Sequence, residues 1–464
     1  MNIDKLITSF SLSLLCLTLG CGRQPQWTEI PDDPVWPGAP SEYAIGVVTA
    51  PTPFAIGPAL EAQPEPVLTG SDVDGLATAY VADPFLFHHA DGRWYLFYEL
   101  LKAFPRRGQI AWAESDDDGR TWAHKGLAIE EPFHMSFPYI FEWEGEVYMV
   151  LESNEIGEIR LYRSTDFPGG WTLESVLVEG VFVDNAIVRH DDHWWLFASS
   201  LNSRELHLFH SEHLTHGWTP HAQSPVIEND IHRARPAGRI ISYDDRLWRF
   251  AMDCGPRYGY AVRLMEILTL TKTEYEERED ENSPLIKAGM APWAGLGMHH
   301  YDPWPYRSGD EAWLITIDGN TPVQPETPLE VQFGDGSLLL GATQRPRNIP
   351  AGEPILLRLY WKSLPQQRAH VFIHFMQDDE VVFQGDHTLD ERPEQYDLYI
   401  PVPENVPPGE VTVHIGLHIP GRGRIAAQSP YPITRNAVEL PIRFTVAAPP
   451  TRLTSEVIHA RVIP

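Results

Sequence analysis

The chain has 464 residues, with 35 Lys and Arg against 64 Asp and Glu, a formal charge of −29. So acidic a chain lacks the basic face that nucleic-acid phosphates or an anionic membrane surface require. Its 43% hydrophobic content is ordinary for a globular protein, and its length leaves room for more than one domain.

In chain order, Lys5 precedes an apolar run, Leu6 to Gly20, that ends at Cys21. This pattern predicts a secretory signal over 1–21. Leu17-Thr18-Leu19-Gly20-Cys21 reads as a lipobox with its Leu one place early, so Cys21 is expected to carry lipid. The expected location is therefore that of an exported, membrane-anchored bacterial lipoprotein, periplasmic or at the cell surface. A plain cleaved signal or an uncleaved anchor is the alternative. Cys254 is the one cysteine outside this region, which excludes a disulfide framework and suits a small apolar filler. Residues 22–75 are Pro-rich and acidic and read as a tether.

From 76 to 322 one unit repeats five times. An aromatic residue recurs at Tyr95, Tyr148, Trp195, Trp248 and Trp313, at steps of 53, 47, 53 and 65. Each opens a short hydrophobic strand behind a turn (Asp91-Gly92, Glu144-Gly145, Asp191-Asp192, Asp244-Asp245, Ser308-Gly309) and another apolar strand. After the first three pairs, a third strand ends in Ser with Trp seven residues on: Ser115/Trp122, Ser164/Trp171, Ser211/Trp218. A period near 50 built from strand, hairpin and strand predicts a five-bladed β-propeller. Beyond TPVQPETP, alternating strands over 329–446 predict an antiparallel β-sandwich, either a spacer or a carbohydrate-binding module. Residues 447–464 read as a tail. The expected fold is thus all-β, a five-bladed propeller followed by a sandwich.

In a propeller blade, residues that open the first strand and close the second share one face of the ring. That rule collects Asp83 and Glu99, Ser136 and Glu152, Asp184, Arg235 and Asp253, then His299, His300 and Asp318. Paired carboxylates suit glycosidic-bond chemistry, one as base and another group as acid. An Asp at a strand start can instead cap a turn, as Asp83-Pro84 would. His134 reads as a sugar contact, a proton donor or a structural His. Arg233 and Arg235 read as clamps for an anion or for a catalytic carboxylate. Phe137, Tyr139 and Tyr258 are candidates to stack on sugar faces. Adjacent His299 and His300 point opposite ways on a strand, so no metal site is assigned.

The stretches ADPFLF, HMSFPYIFE (134–142), VLES, ARPAG (234–238), DCGPRYG (253–259), GMHHYDP and IDG, in this order, resemble the N-terminal domain of plant glucosamine inositolphosphorylceramide transferase and its bacterial relatives. The resemblance spans about 78–320. It implies a five-bladed propeller similar to glycoside hydrolase family 43, whose base falls on Asp83 and whose acid-tuning Asp falls on Asp184. The family 43 acid has no counterpart, since Arg235 stands there. The plant glycosyltransferase domain is absent from the resemblance, so transfer is not implied. Hydrolysis with Asp83 as base, Asp184 as positioner and Glu152 or His134 as acid is the leading expectation. A non-catalytic glycan-binding ring and phosphorolysis using Arg233, Arg235 and His300 are the alternatives. The expected partner is a glycan or glycoconjugate, with membrane contact through the lipid anchor alone. No cofactor is required, although a structural cation in the channel, as in some relatives, is compatible with the reading.

Overall fold

The computed structural model describes residues 41–306, 312–364, 369–388 and 394–448. The signal, Cys21, the Ser308-Gly309 turn and nearly all of the tail lie outside these residues. Among the described residues no helix is long and apolar enough to cross a membrane.

Up to Pro322 the described residues form five antiparallel sheets. Sheet one comprises Thr78–His88, Trp94–Lys102, Arg107–Ser115 and Ala123–Ile129. Sheet two comprises Ser136–Trp143, Glu146–Glu152, Glu158–Asp166 and Gly169–Glu179. Sheet three comprises Phe182–His190, His193–Ser200, Leu206–Ser211 and Thr219–Pro220. Sheet four is less regular: its inner strand is broken into Arg235–Pro236 and Ile241–Tyr243, followed by Arg246–Asp253, Ala261–Leu270 and Tyr275–Glu279. Sheet five takes Tyr301–Pro305 and Trp313–Pro322, with Ser41–Ala50 as its third strand. The inner strands of sheets one to four pack on one another in turn, Tyr301 of sheet five donates to the Ala237 carbonyl beside sheet four, and sheet five packs on the inner strand of sheet one, so the sheets close into a propeller-like ring.

Three of the repeated aromatics, Tyr95, Trp195 and Trp248, are turn clamps as much as core. Tyr95 donates from its hydroxyl to Asp91 Oδ2 (2.8 Å), while Trp195 and Trp248 donate to the carbonyls of His190 and Tyr243 (both 3.1 Å). Each apolar ring fills the sheet while its polar tip closes the preceding hairpin. The Ser/Trp pairs act likewise one turn later: the indoles of Trp122, Trp171 and Trp218 donate to the carbonyls of Gly119, Pro168 and Leu214.

Residues 22–75 are not a tether throughout. Ser41–Ala50 pairs with all of Trp313–Pro322 and is largely buried, and residues 57–61 and 70–72 form short helical turns beside it. A strand buried on both faces lacks the polar–apolar alternation that marks a half-exposed one, and its Pro-rich flanks conceal it further. Residues 22–40 lie outside the described residues.

Deeper in the ring the axis is closed by Arg239. Its guanidinium pairs with Asp302 (2.8 Å) and donates to the carbonyls of Ile140 in sheet two (2.9 Å) and Leu86 in sheet one (3.0 Å). Asp302 in turn accepts the Leu86 N–H (2.7 Å). The rings of Trp304, Tyr139 and Phe85 surround the cation at 4.6, 5.1 and 5.8 Å.

Thr327–Phe333 onward builds two facing sheets around one apolar core, the predicted sandwich. It is joined to the ring by a second core in which Leu356 and Tyr399 meet Ala77, Ala79, Leu101 and Ala103 of sheet one. Buried Arg345 ties the two parts, reaching Glu42 (3.0 Å), Glu326 (2.6 Å) and the Ala79 carbonyl (3.1 Å). We expect Arg345→Met to cost about 2 kcal/mol, less than a fully buried pair because both acids are partly in water. Calorimetry should then resolve ring and sandwich as separate transitions; one unchanged transition would show that the apolar contacts suffice.

Candidate active site

The inner strands of sheets one, two and three carry a bulge at the same place. The residue at each bulge is left-handed, at φ 50° for Asp83, Phe137 and Asp184 alike. Side chains other than Gly are held there at a cost of about 1–3 kcal/mol, a strain that gathers at functional sites, and a bulge re-aims its side chain. In sheets one and three the repeated device carries a buried carboxyl. Its counterpart in sheet two is Phe137, not Ser136: Phe137 is fully buried against Phe85 and His300, while Ser136 faces Glu152 in the ladder and is buried.

Around these bulges the predicted acids converge. Asp184 Oδ2 forms an ion pair with Arg235 Nε, and Arg235 also donates to Ser203 Oγ (3.1 Å) and lies 4.8 Å over the Tyr258 ring. Glu152 accepts the Asp184 N–H (3.0 Å) and the Asn154 amide (2.9 Å). Glu99 is buried; among the described residues its Oε1 has no hydrogen-bond partner and lies 3.7 Å from His134 Nε2. His134 Nδ1 accepts the Gly108 N–H (2.9 Å), which orients the ring toward Glu99.

Asp83 stands apart. Among the described residues no hydrogen bond reaches its carboxylate; Oδ1 lies 3.8 Å from His299 Nε2 and 3.9 Å from His300 Nδ1. Asp318 accepts four N–H groups: the backbone of Asp83 (3.2 Å), His299 (3.1 Å) and His300 (3.0 Å), and His299 Nδ1 (2.8 Å).

Burial sets the electrostatics. Loss of water pushes Asp83 up to about 7, against the opposing pull of His299. It pushes Asp184 to about 7 as well, against Arg235, and raises Glu99 and Glu152. Asp318 goes the other way: burial would raise it, but the charge and hydrogen bonds of His299 hold it low. His299 is raised because Asp318 outweighs its own burial, whereas His300 is driven by burial down to about 3.

Three predicted residues do not join this cluster. Arg233 turns to Asp230 (2.8 Å), and Asp253 is held by His232 and Arg263 (both 2.6 Å). Tyr139 lies buried beneath Arg239, so it offers no face at the mouth. Sequence reasoning placed Asp318 at the mouth without giving it a role, and missed Tyr43 altogether. The joint presence of HH and IDG was the available signal for Asp318; Tyr43 was hidden in the presumed tether.

Asp83, His299 and Asp318 bring donor atoms within 4.8 Å of one another. They do not fit a resident cation, because Asp318 is saturated by four N–H donors and His299 Nδ1 is committed to it. Asp83 and His299 Nε2 are the donors left uncommitted there, short of the four protein ligands of a closed structural site.

Residues 42–320 match the family described as glucosamine inositolphosphorylceramide transferase 1, N-terminal. The chain belongs to this family. It is 34% identical over 319 residues to glucosamine inositolphosphorylceramide transferase 1 of Oryza sativa subsp. japonica, covering 64% of this chain and 42% of the rice protein. With the Arabidopsis thaliana protein of that name it shares 35% identity over 298 residues, covering 60% and 39%. The chain therefore spans less than half the length of these relatives. Among solved structures, the α-L-arabinanase of Cellvibrio cellulosa aligns at 17% identity and a TM-score of 0.33, covering 43% of this chain and 77% of that one. A thermostable family-43 glycoside hydrolase aligns at 11% and 0.36, covering 46% and 79%.

Proposed function

We propose that this family member binds a glycan or glycoconjugate at the acidic mouth of the ring and acts on a glycosidic bond there, with Asp83 as general base. The observation that carries the reading is the Asp83 carboxylate itself: buried, on a strained bulge, and without a hydrogen bond. A fold does not hold an acid in that state for stability, since burial without partners is unfavourable. The base would take the proton of an attacking hydroxyl as its oxygen bonds to the anomeric carbon and the leaving oxygen departs. Water as the attacker makes the reaction hydrolysis; a second hydroxyl compound makes it transfer, the activity in the names of the plant relatives. Arg235 serves as a carboxylate clamp that fixes Asp184. Glu152 is a poor acid because both its oxygens are engaged.

One observation favours a second reading, a ring that binds without cleaving. Asp184, Glu152 and Arg235 are locked together, and nothing in the block is an evident proton donor to a leaving group. The test is a panel of glycosides and glycosylated lipids, with and without acceptor alcohols, read by mass spectrometry for new products. Product from the wild type and none from Asp83→Asn supports catalysis. Binding without product in both would leave the ring as a glycan receptor.

A further inference from the structure

We propose that His299, fixed by Asp318, is the built-in cation that favours the ionised form of Asp83 at the mouth of the ring. The inference rests on Asp83 being the base and concerns how that base is held ready. Two adjacent histidines flank Asp83 Oδ1 at nearly equal distance, 3.8 Å for His299 Nε2 and 3.9 Å for His300 Nδ1. Both lie just ahead of the strand Tyr301–Pro305, so the alternation expected of a strand does not separate them, and both reach Asp83. Asp318 accepts the backbone N–H of both, but it bonds the imidazole ring of His299 alone. The Asp318 bond to Nδ1 selects the ring orientation in which Nε2 looks at Asp83, as a carboxylate behind an imidazole does in catalytic triads. Among the described residues no side chain bonds either ring nitrogen of His300, which is fully buried among Phe85 and Phe137. In such surroundings an imidazole stays neutral and exerts no charge on Asp83.

The rest of the environment of His299 fits a fixed imidazolium. From the N-terminal strand, the Tyr43 ring stacks on it at 4.4 Å and 19°; from sheet four, Tyr258 meets it edge-on at 5.5 Å and 76°. An aromatic face favours a cation above it, and the two rings prevent the imidazole from turning away. The charged and titratable groups that face it are Asp318 from sheet five, Asp83 from sheet one, Asp184 from sheet three, the phenols of Tyr43 and Tyr258, and its neighbour His300. Arg235 is already committed to Asp184. His299 therefore acts through Asp83 as a positioning residue and passes no proton to substrate.

The test is the ionisation of Asp83 read directly, with aspartate Cγ resonances followed by 13C NMR against pH and Asp83 assigned through Asp83→Asn. His299→Gln is expected to move the Asp83 midpoint upward by at least about one pH unit, a tenfold change in its ionisation constant. Asp318→Asn should move it the same way and lower the midpoint of His299, while His300→Gln should leave Asp83 in place. An unchanged Asp83 in folded His299→Gln, or an equal shift in His300→Gln, would overturn the proposal. Should the variants not fold, 15N NMR of wild-type His299 at pH 7 decides instead: both nitrogens protonated supports the proposal, and a neutral ring sinks it. If Asp83 responds as expected but Asp83→Asn leaves turnover unchanged, the tuning stands and the base assignment fails.

Discussion

Arg239→Met is expected to destabilise the protein by about 3–5 kcal/mol, the cost of removing one partner of a buried ion pair. The guanidinium closes the axis by serving three sheets at once, through Asp302 and the carbonyls of Ile140 and Leu86. Methionine matches much of its volume but leaves Asp302 charged, fully buried and short of its cation. The two carbonyls also lose their donor. Equilibrium urea denaturation measures the loss, and the double variant Arg239→Met/Asp302→Asn should recover part of it, because the orphaned charge is then gone. A loss below about 1 kcal/mol in the single variant would mean that water replaces the guanidinium, and that the axis is wetter than its burial suggests.

Asp83→Asn is expected to act in opposite directions on activity and stability. Turnover on whatever substrate the panel reveals should fall by about 10²- to 10⁴-fold, the range for loss of a general base. Stability should rise at high pH. Asp83 is raised in the fold to about 7 from an ordinary 3.8, so folding favours its protonated form. Below about pH 4 the residue is protonated both folded and unfolded, and the wild type carries no penalty. As pH climbs, the unfolded chain ionises first, and stability is lost progressively until the folded carboxyl ionises near 7. Asparagine escapes that loss. The melting temperatures of the two proteins should therefore agree at acid pH and separate in favour of the variant by pH 8. A less stable variant at pH 8 would show that the carboxylate helps to hold the fold, and the base assignment would lose its main support.

Much of the architecture was legible because its causes are local. An aromatic that must fill a strand and clamp the turn behind it recurs wherever that turn recurs, so Tyr95, Trp195 and Trp248 mark the sheets by spacing alone. The sandwich announced itself by period-two alternation between Pro and Gly turns. Ser41–Ala50 was not legible, because its partner lies at Trp313–Pro322 and no local pattern encodes a pairing across the whole ring. Phe137 taking the place expected of Ser136 has a similar cause: a bulge shifts register by one, and alternation then assigns the wrong neighbour to the axis.

The acids of the mouth could be collected from the chain by asking which residues open and close strands, and Asp83, Glu99, Glu152 and Asp184 do converge as that rule requires. Their partners could not. Arg235 to Asp184, Asp318 to His299 and Arg239 to Asp302 join residues 51, 19 and 63 positions apart. The sequence by itself determined the repeated strands, the change to a sandwich and the identity of the acids, because hydrophobic period and turn chemistry act over a few residues. Only the tertiary structure decided which acid is clamped, which is saturated and which is left bare, because ion pairing and desolvation depend on distances that exist only once the ring has closed.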